Sequence, residues 1–198
     1  MKNSFLYPIV FMTAVTAIFI AVLAGLNFVT ADTISYNQES ELQHKILYIF
    51  DILPDGGTEK DIERVFNERV VEKQWGELKG YALTQGGQET AYAVPVNGPG
   101  LWGSIIGFVG LNNNYTEIIG IEFVIQSETP GLGGRISEDP YKEQFRGIDI
   151  SGKKDNFIIS SPEPNSNVDA IAGATQTSAA VVKLINEDIK LFLQEVSK

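Results

Sequence analysis

The sequence predicts an α+β protein: one N-terminal transmembrane helix, then a domain built on a twisted antiparallel sheet flanked by helices. Three observations carry this. An uncharged, almost wholly apolar run covers Ile9 to Val29. Short β-rich segments separated by turn residues fill the middle of the chain. An apolar series at helical spacing (Val181, Leu184, Ile185, Ile189, Phe192, Leu193, Val196) closes it. The expected division is 1–31 as anchor, 32–75 as a helical connector and 76–198 as the globular domain.

Residues 9–29 form a run of the length that crosses a bilayer core in helical rise. Val29-Thr30-Ala31 before Asp32 also resembles a signal-peptide cleavage site. The run is longer than a usual signal core and only Lys2 precedes it, which favours a retained anchor. With Lys2 on one side and Asp32 on the other, the charge rule puts the N-terminus in the cytoplasm and the domain on the extracytoplasmic side of a plasma (inner) membrane.

From Ser40 to Leu53 the spacing is helical, with Ser40 and Gln43 as a candidate capping box. Pro54-Asp55-Gly56-Gly57 ends that helix. Thr58 and Asp61 start a second, continued by Ile62, Val65, Phe66 and Val70. The strands are expected to begin beyond Trp75. Residues 77–83 and 91–96 pair through the turn Gln85-Gly86-Gly87. Residues 104–111 and 117–126 pair through Asn112-Asn113-Asn114, which extends an antiparallel meander. A short helix over 137–145 and two last strands, 148–150 and 157–159, complete the expected domain, with the helices on one side of the sheet. Asn114-Tyr115-Thr116 matches a glycosylation sequon but reads better as a hairpin tip.

Composition narrows the function. Formal net charge is −10, and beyond the anchor 14 basic residues face 25 acidic ones. An acidic domain without a basic stripe argues against nucleic acid and against electrostatic docking on anionic lipid. There is no cysteine and one histidine, His44. Disulfides, thiolate metal sites and a Ser-His-Asp triad are excluded or disfavoured, and no metal ligands or catalytic residues are assigned. Redox chemistry would need an organic cofactor.

Three glycine-rich stretches remain: Gly100-Leu101-Trp102-Gly103, Glu128-Thr129-Pro130-Gly131-Leu132-Gly133, and Asp169-Ala170-Ile171-Ala172-Gly173-Ala174-Thr175-Gln176-Thr177. Each could be a tight turn by itself. The third runs into the final helix, where Thr175, Thr177 and Ser178 place hydroxyls and free amides at a helix N-terminus, a place that favours phosphate. Thr175 or Thr177 could equally be a plain N-cap.

Together the stretches resemble one family. Glu128 to Gly133 resembles the Glu-Thr-Pro-Gly-Leu-Gly signature of the FMN-binding C subunit of Na+-pumping NADH:quinone oxidoreductase (Nqr) and of the G subunit of the Rnf ferredoxin:NAD oxidoreductase complex. Gly100 to Gly103 is similar to the C subunit's Gly-Leu-Trp stretch. Asp169 to Thr177 resembles the flavinylation motif, with Ala172 where the family usually has Ser or Thr. The resemblance implies FMN held covalently on Thr175 through a phosphoester. Gly173 and Ala174 would complete the motif, and the Gln176 and Thr177 amides would face the phosphate. Trp102 and Leu132 would cover the isoalloxazine ring, while Thr129 and the amides of Gly131 and Gly133 would reach its edge. Glu128 would support the loop or contact the flavin. Asp169 would be a loop or cap residue recognised by the flavin transferase.

The implied role is a membrane-anchored electron-transfer subunit of an ion-translocating oxidoreductase, without turnover of its own. Its partners would be the other membrane and redox subunits of an Nqr- or Rnf-type complex, a flavin transferase during maturation, and the lipid bilayer. A stand-alone flavoprotein of extracellular electron transfer and an anchored non-redox binding domain stay open as alternatives.

Overall fold

The structure, a computed structural model, describes residues 6–152 and 156–196. The chain forms two compact units, residues 1–41 and 42–198.

The described residues of the first unit are helical. Helix α1 (Leu6–Ile49) is long and apolar enough to cross a membrane, and large apolar side chains from Leu6 to Val29 are exposed along it. The expected break between anchor and connector is absent. No proline or glycine interrupts residues 26–53, so the helix runs unbroken through Asp32 and past Ser40. Ser40 therefore lies inside a helix rather than capping one.

In the second unit α1 ends as Pro54 demands, with Asp51 in the left-handed region at φ 55°. The Ile52 amide donates to the Leu47 carbonyl (3.1 Å) and the Asp51 amide to that of Tyr48 (3.1 Å), closing the helix as a Schellman motif. Helix α2 (Glu59–Arg69) starts as expected, its Thr58 amide donating to Asp61 Oδ2 at 3.0 Å.

Six strands follow: β1 (Val70–Trp75), β2 (Leu78–Gln85), β3 (Gln88–Pro99), β4 (Ser104–Asn112), β5 (Glu117–Ile125) and β6 (Ile148–Asp149). They pair antiparallel in the order in which they occur. The meander stands as expected, with one addition: residues 70–75, read as the end of the helical connector, are strand β1. Val70 through Trp75 register against Leu83 through Leu78, so tertiary pairing overrides the helical reading of Val70.

Alternation along β3 shows how the sheet is covered. Tyr92, Val94 and Val96 join one core with Val109, Ile121 and the final helix α4 (Thr175–Val196). Ala91 and Ala93 point the other way, into a second core with Ile46, Leu47, Ile49 and α2 residues Ile62, Val65 and Phe66. Helices therefore flank both faces rather than one. The expected helix over 137–145 appears as 3-10 turns at 133–137 and 143–145 around α3 (Asp139–Lys142).

Residues 157–159 are not a strand. Asn186 of α4 grips Ile158 at both backbone groups, accepting from its amide (3.0 Å) and donating to its carbonyl (2.8 Å). Asn167 does the same for the Ile159 amide and the Phe157 carbonyl, both at 2.8 Å. Side-chain amides replace the missing sheet neighbour.

Candidate functional site

Thr129-Pro130-Gly131-Leu132 forms a tight turn after β5. The Leu132 amide donates to the Thr129 carbonyl at 3.1 Å, and Gly131 takes φ 74°, as the third position of a type II turn requires. The Gly134 amide closes on the same carbonyl at 3.0 Å. The turn leaves Leu132 45% exposed.

The glutamate before this turn is the centre of the arrangement. Glu128 is 5% exposed. Its Oε1 accepts from the amides of Leu101 (2.9 Å) and Trp102 (3.0 Å), in the loop between β3 and β4. Its Oε2 accepts from the Thr177 hydroxyl (2.6 Å), in the first turn of α4. One carboxylate thus ties together all three glycine-rich stretches. Burial pushes this carboxyl up, but hydrogen bonds from Thr177 and from the Trp102 and Leu101 amides together outweigh it and hold Glu128 below the ordinary carboxylate range.

At the start of α4 the three hydroxyls divide. Thr177 and Ser178 are buried and bonded inward, Ser178 Oγ accepting from the Ile171 amide (3.0 Å) and donating to the Ala174 carbonyl (3.1 Å). Thr175 is exposed, as are Gln176 and Gly173. The helix begins at Thr175 with Ala174 before it, so the sequence position of an N-cap falls to alanine. The first-turn amides have no intrahelical acceptor, which makes this end a receptor for negative charge. Gly173 holds φ 78°, and a Cβ built there would lie 3.1 Å from Leu132 Cδ2. The turn of the second stretch and the loop of the third are therefore in van der Waals reach.

At the convergence of the three stretches the structure leaves apolar side chains exposed: Leu132 within reach of Gly173, and Leu101 (49% exposed) and Trp102 (72%) in the loop held by Glu128. A flat ring needs such cover, a phosphate needs the helix end, and a phosphoester needs a free hydroxyl. The residues present fit FMN. Thr129 is exposed beside the turn, while Glu128 is taken up by its loop contacts.

Asp169 is exposed, and its amide is fixed by Gln144 Oε1 at 2.6 Å. Three features had no signal in the motifs. They are the Gln144 tie, the Ser178 latch and a groove of about 540 Å³ beside α4, lined by Thr175, Val182, Asn186, Ile158, Ile159 and Pro162 among others. Ser178 could have been noticed as a small polar residue within the buried face of an amphipathic helix.

Residues 100–190 match the model of the FMN-binding domain family. The chain is 30% identical over 193 residues to the G subunit of the Na+-translocating ferredoxin:NAD+ oxidoreductase complex of Acetobacterium woodii, covering 93% of this chain and 89% of that one. It is 32% identical over 126 residues to the G subunit of the proton-translocating ferredoxin:NAD+ oxidoreductase complex of Clostridium ljungdahlii, covering 63% of each. It is 31% identical over 125 residues to the C subunit of the Na+-translocating NADH-quinone reductase of Chlamydia pneumoniae, covering 52% of this chain and 39% of that one. In fold, it superposes on the crystal structure of the C subunit of the Na+-translocating NADH-quinone reductase from Parabacteroides distasonis with a TM-score of 0.67 at 20% identity, over 83% of this chain and 95% of that one. With sequence match, fold and motif geometry agreeing, the chain belongs to the FMN-binding-domain family that contains the C subunits of NADH-quinone reductases and the G subunits of ferredoxin:NAD+ oxidoreductase complexes.

Proposed function

We propose that this protein is a membrane-anchored electron-transfer subunit that carries FMN covalently on Thr175, within a redox-driven ion-translocating complex. The observation that supports it best is the convergence of three stretches on Glu128, which brings the Leu101–Trp102 loop to the first turn of α4, the helix that starts at the exposed Thr175. When bound, FMN supplies the redox chemistry. The chain's own residues bind and orient it. Thr175 Oγ holds the phosphate, the Gln176 and Thr177 amides at the positive end of α4 offset its charge, and Leu132 and Trp102 cover the ring. The Thr129 hydroxyl and the Gly131 amide would reach the ring edge, whereas Gly133, also expected there, is buried against Glu128 and Thr177.

A covalent tether suits a carrier on the extracytoplasmic face, where a free cofactor would be lost by dilution. Helix α1 is the segment suited to the bilayer, with the N-terminus on the cytoplasmic side. The near end-to-end match to the Acetobacterium woodii protein favours a ferredoxin:NAD+ type complex over a quinone-reducing one, with the membrane and redox subunits of that complex as partners. A flavin transferase makes the ester during maturation.

Intact mass tests the reading. Protein coexpressed with a flavin transferase should exceed the chain mass by FMN less one water, and Thr175→Ala should remove both that increment and the yellow colour. A Thr175→Ala protein that stays flavinylated would show the tether to be elsewhere. A colourless native protein would favour the non-redox binding domain.

A further inference from the structure

Glu128 has a second consequence, which rests on the flavin reading above. Its two oxygens serve different elements: Oε1 takes the amides of Leu101 and Trp102, and Oε2 takes the hydroxyl of Thr177. Two glycines pack closely against it. A Cβ at Gly100 would lie 2.5 Å from Oε1, and one at Gly133 would lie 3.0 Å from Oε2. Among the described residues, no lysine or arginine pairs with Glu128, whereas the neighbouring Arg135 is paired with Glu138 at 3.1 Å. The carboxylate is satisfied by dipoles, which keep it charged without cancelling that charge. It lies directly beneath the loops that present Leu101, Trp102 and Leu132 to the outside.

We propose that Glu128 is the positioning residue of the flavin site: it clamps the Leu101–Trp102 loop to the first turn of α4, and its uncancelled negative charge makes the bound flavin harder to reduce. The clamp follows from the hydrogen bonds. The effect on reduction follows from Coulomb's law, since adding an electron near a fixed anion in a partly dehydrated site is unfavourable. No contact between Glu128 and the flavin is needed.

Two substitutions in the full-length chain, coexpressed with the flavin transferase, separate the parts. Glu128→Gln keeps the shape and an acceptor for both amides, while Thr177 can turn its hydroxyl to accept. It should take up flavin as wild type does and shift the flavin midpoint potential upward. Glu128→Ala removes the clamp. In flavin-free protein it should speed amide hydrogen exchange at Leu101 and Trp102 at least tenfold, with the β4 and β5 amides still protected. A fully flavinylated Gln variant with an unchanged potential overturns the charge effect. Wild-type protection at residues 101–102 in the Ala variant overturns the clamp. Wild-type chain that acquires no flavin overturns the reading on which the charge effect rests, and the exchange result then judges the clamp alone.

Discussion

A methyl group added at Gly133 would sit 2.6 Å from Thr177 Oγ1 and 3.0 Å from Glu128 Cβ. Neither neighbour can retreat, because each holds the other at 2.6 Å. Gly133→Ala should therefore lower stability by about 1–3 kcal/mol, as overpacking does, and urea denaturation measures it. The carboxylate at this point also links folding to pH. Its folded pKa lies below the unfolded value of about 4.3, so its contribution is complete above that pH and is lost as pH falls through the lowered folded value. Glu128→Gln should lower the neutral plateau of a stability–pH profile and flatten its acid limb, so that the two proteins converge at low pH. At this scale the sequence was legible as motifs and opaque as geometry. Thr175, Gly173 and the Pro-Gly turn could be read from residue type. That Thr177 turns inward to Glu128, 49 positions away, could not, because local spacing carries no information about which hydroxyl a buried acid will find.

Between elements, several hydrogen bonds converge at the end of α1. The Arg146 guanidinium donates to the carbonyls of Tyr48 (2.8 Å) and Ile49 (3.2 Å) in the last turn of that helix, and to Ile119 in β5. Tyr48 returns a bond from its hydroxyl to Glu143 at 2.5 Å. A cation on exposed helix carbonyls is favoured by the helix dipole as well as by hydrogen bonding. Arg146→Met should destabilise the domain by about 1.5–3 kcal/mol, seen as a lower denaturation midpoint. Nearby, Lys142 and Glu122 meet at 2.6 Å with both side chains 7% exposed. Burial drives the Glu122 carboxyl upward against the pull of Lys142. Removing only the lysine, as in Lys142→Met, strands a buried acid and should cost about 3–5 kcal/mol. The double variant with Glu122→Leu should regain most of that loss in the same assay. Helix α4 and the four central strands were legible because their apolar periods are strong. Strand β1 was not, since Val70 satisfies a helical pattern as well as a strand. Residues 157–159 failed in the opposite sense: β-rich side chains there are served by Asn167 and Asn186 instead of a sheet partner.

For the whole molecule, the division at residues 41 and 42 carries a simple expectation. Among the described residues, both cores draw on Leu42 and positions after it. A chain beginning at Leu42 should fold, stay in the soluble fraction and keep a cooperative thermal transition, while the full chain should need detergent. Sedimentation after lysis and calorimetry check the two halves. The apolar run led to an expected boundary at residue 31, ten residues short of this division, and the continuity of helix past that point was not legible, since nothing in residues 30–41 marks a stop. One property of the sheet reaches further. Its strands associate in the order in which the ribosome delivers them, so the scaffold and two of its loops can assemble ahead of the last helix. Thr175, the residue proposed above to carry the flavin, belongs to that last helix. Pigmentation must then come after synthesis of the domain, and a chain broken off before Thr175 would be left colourless however well its sheet had formed.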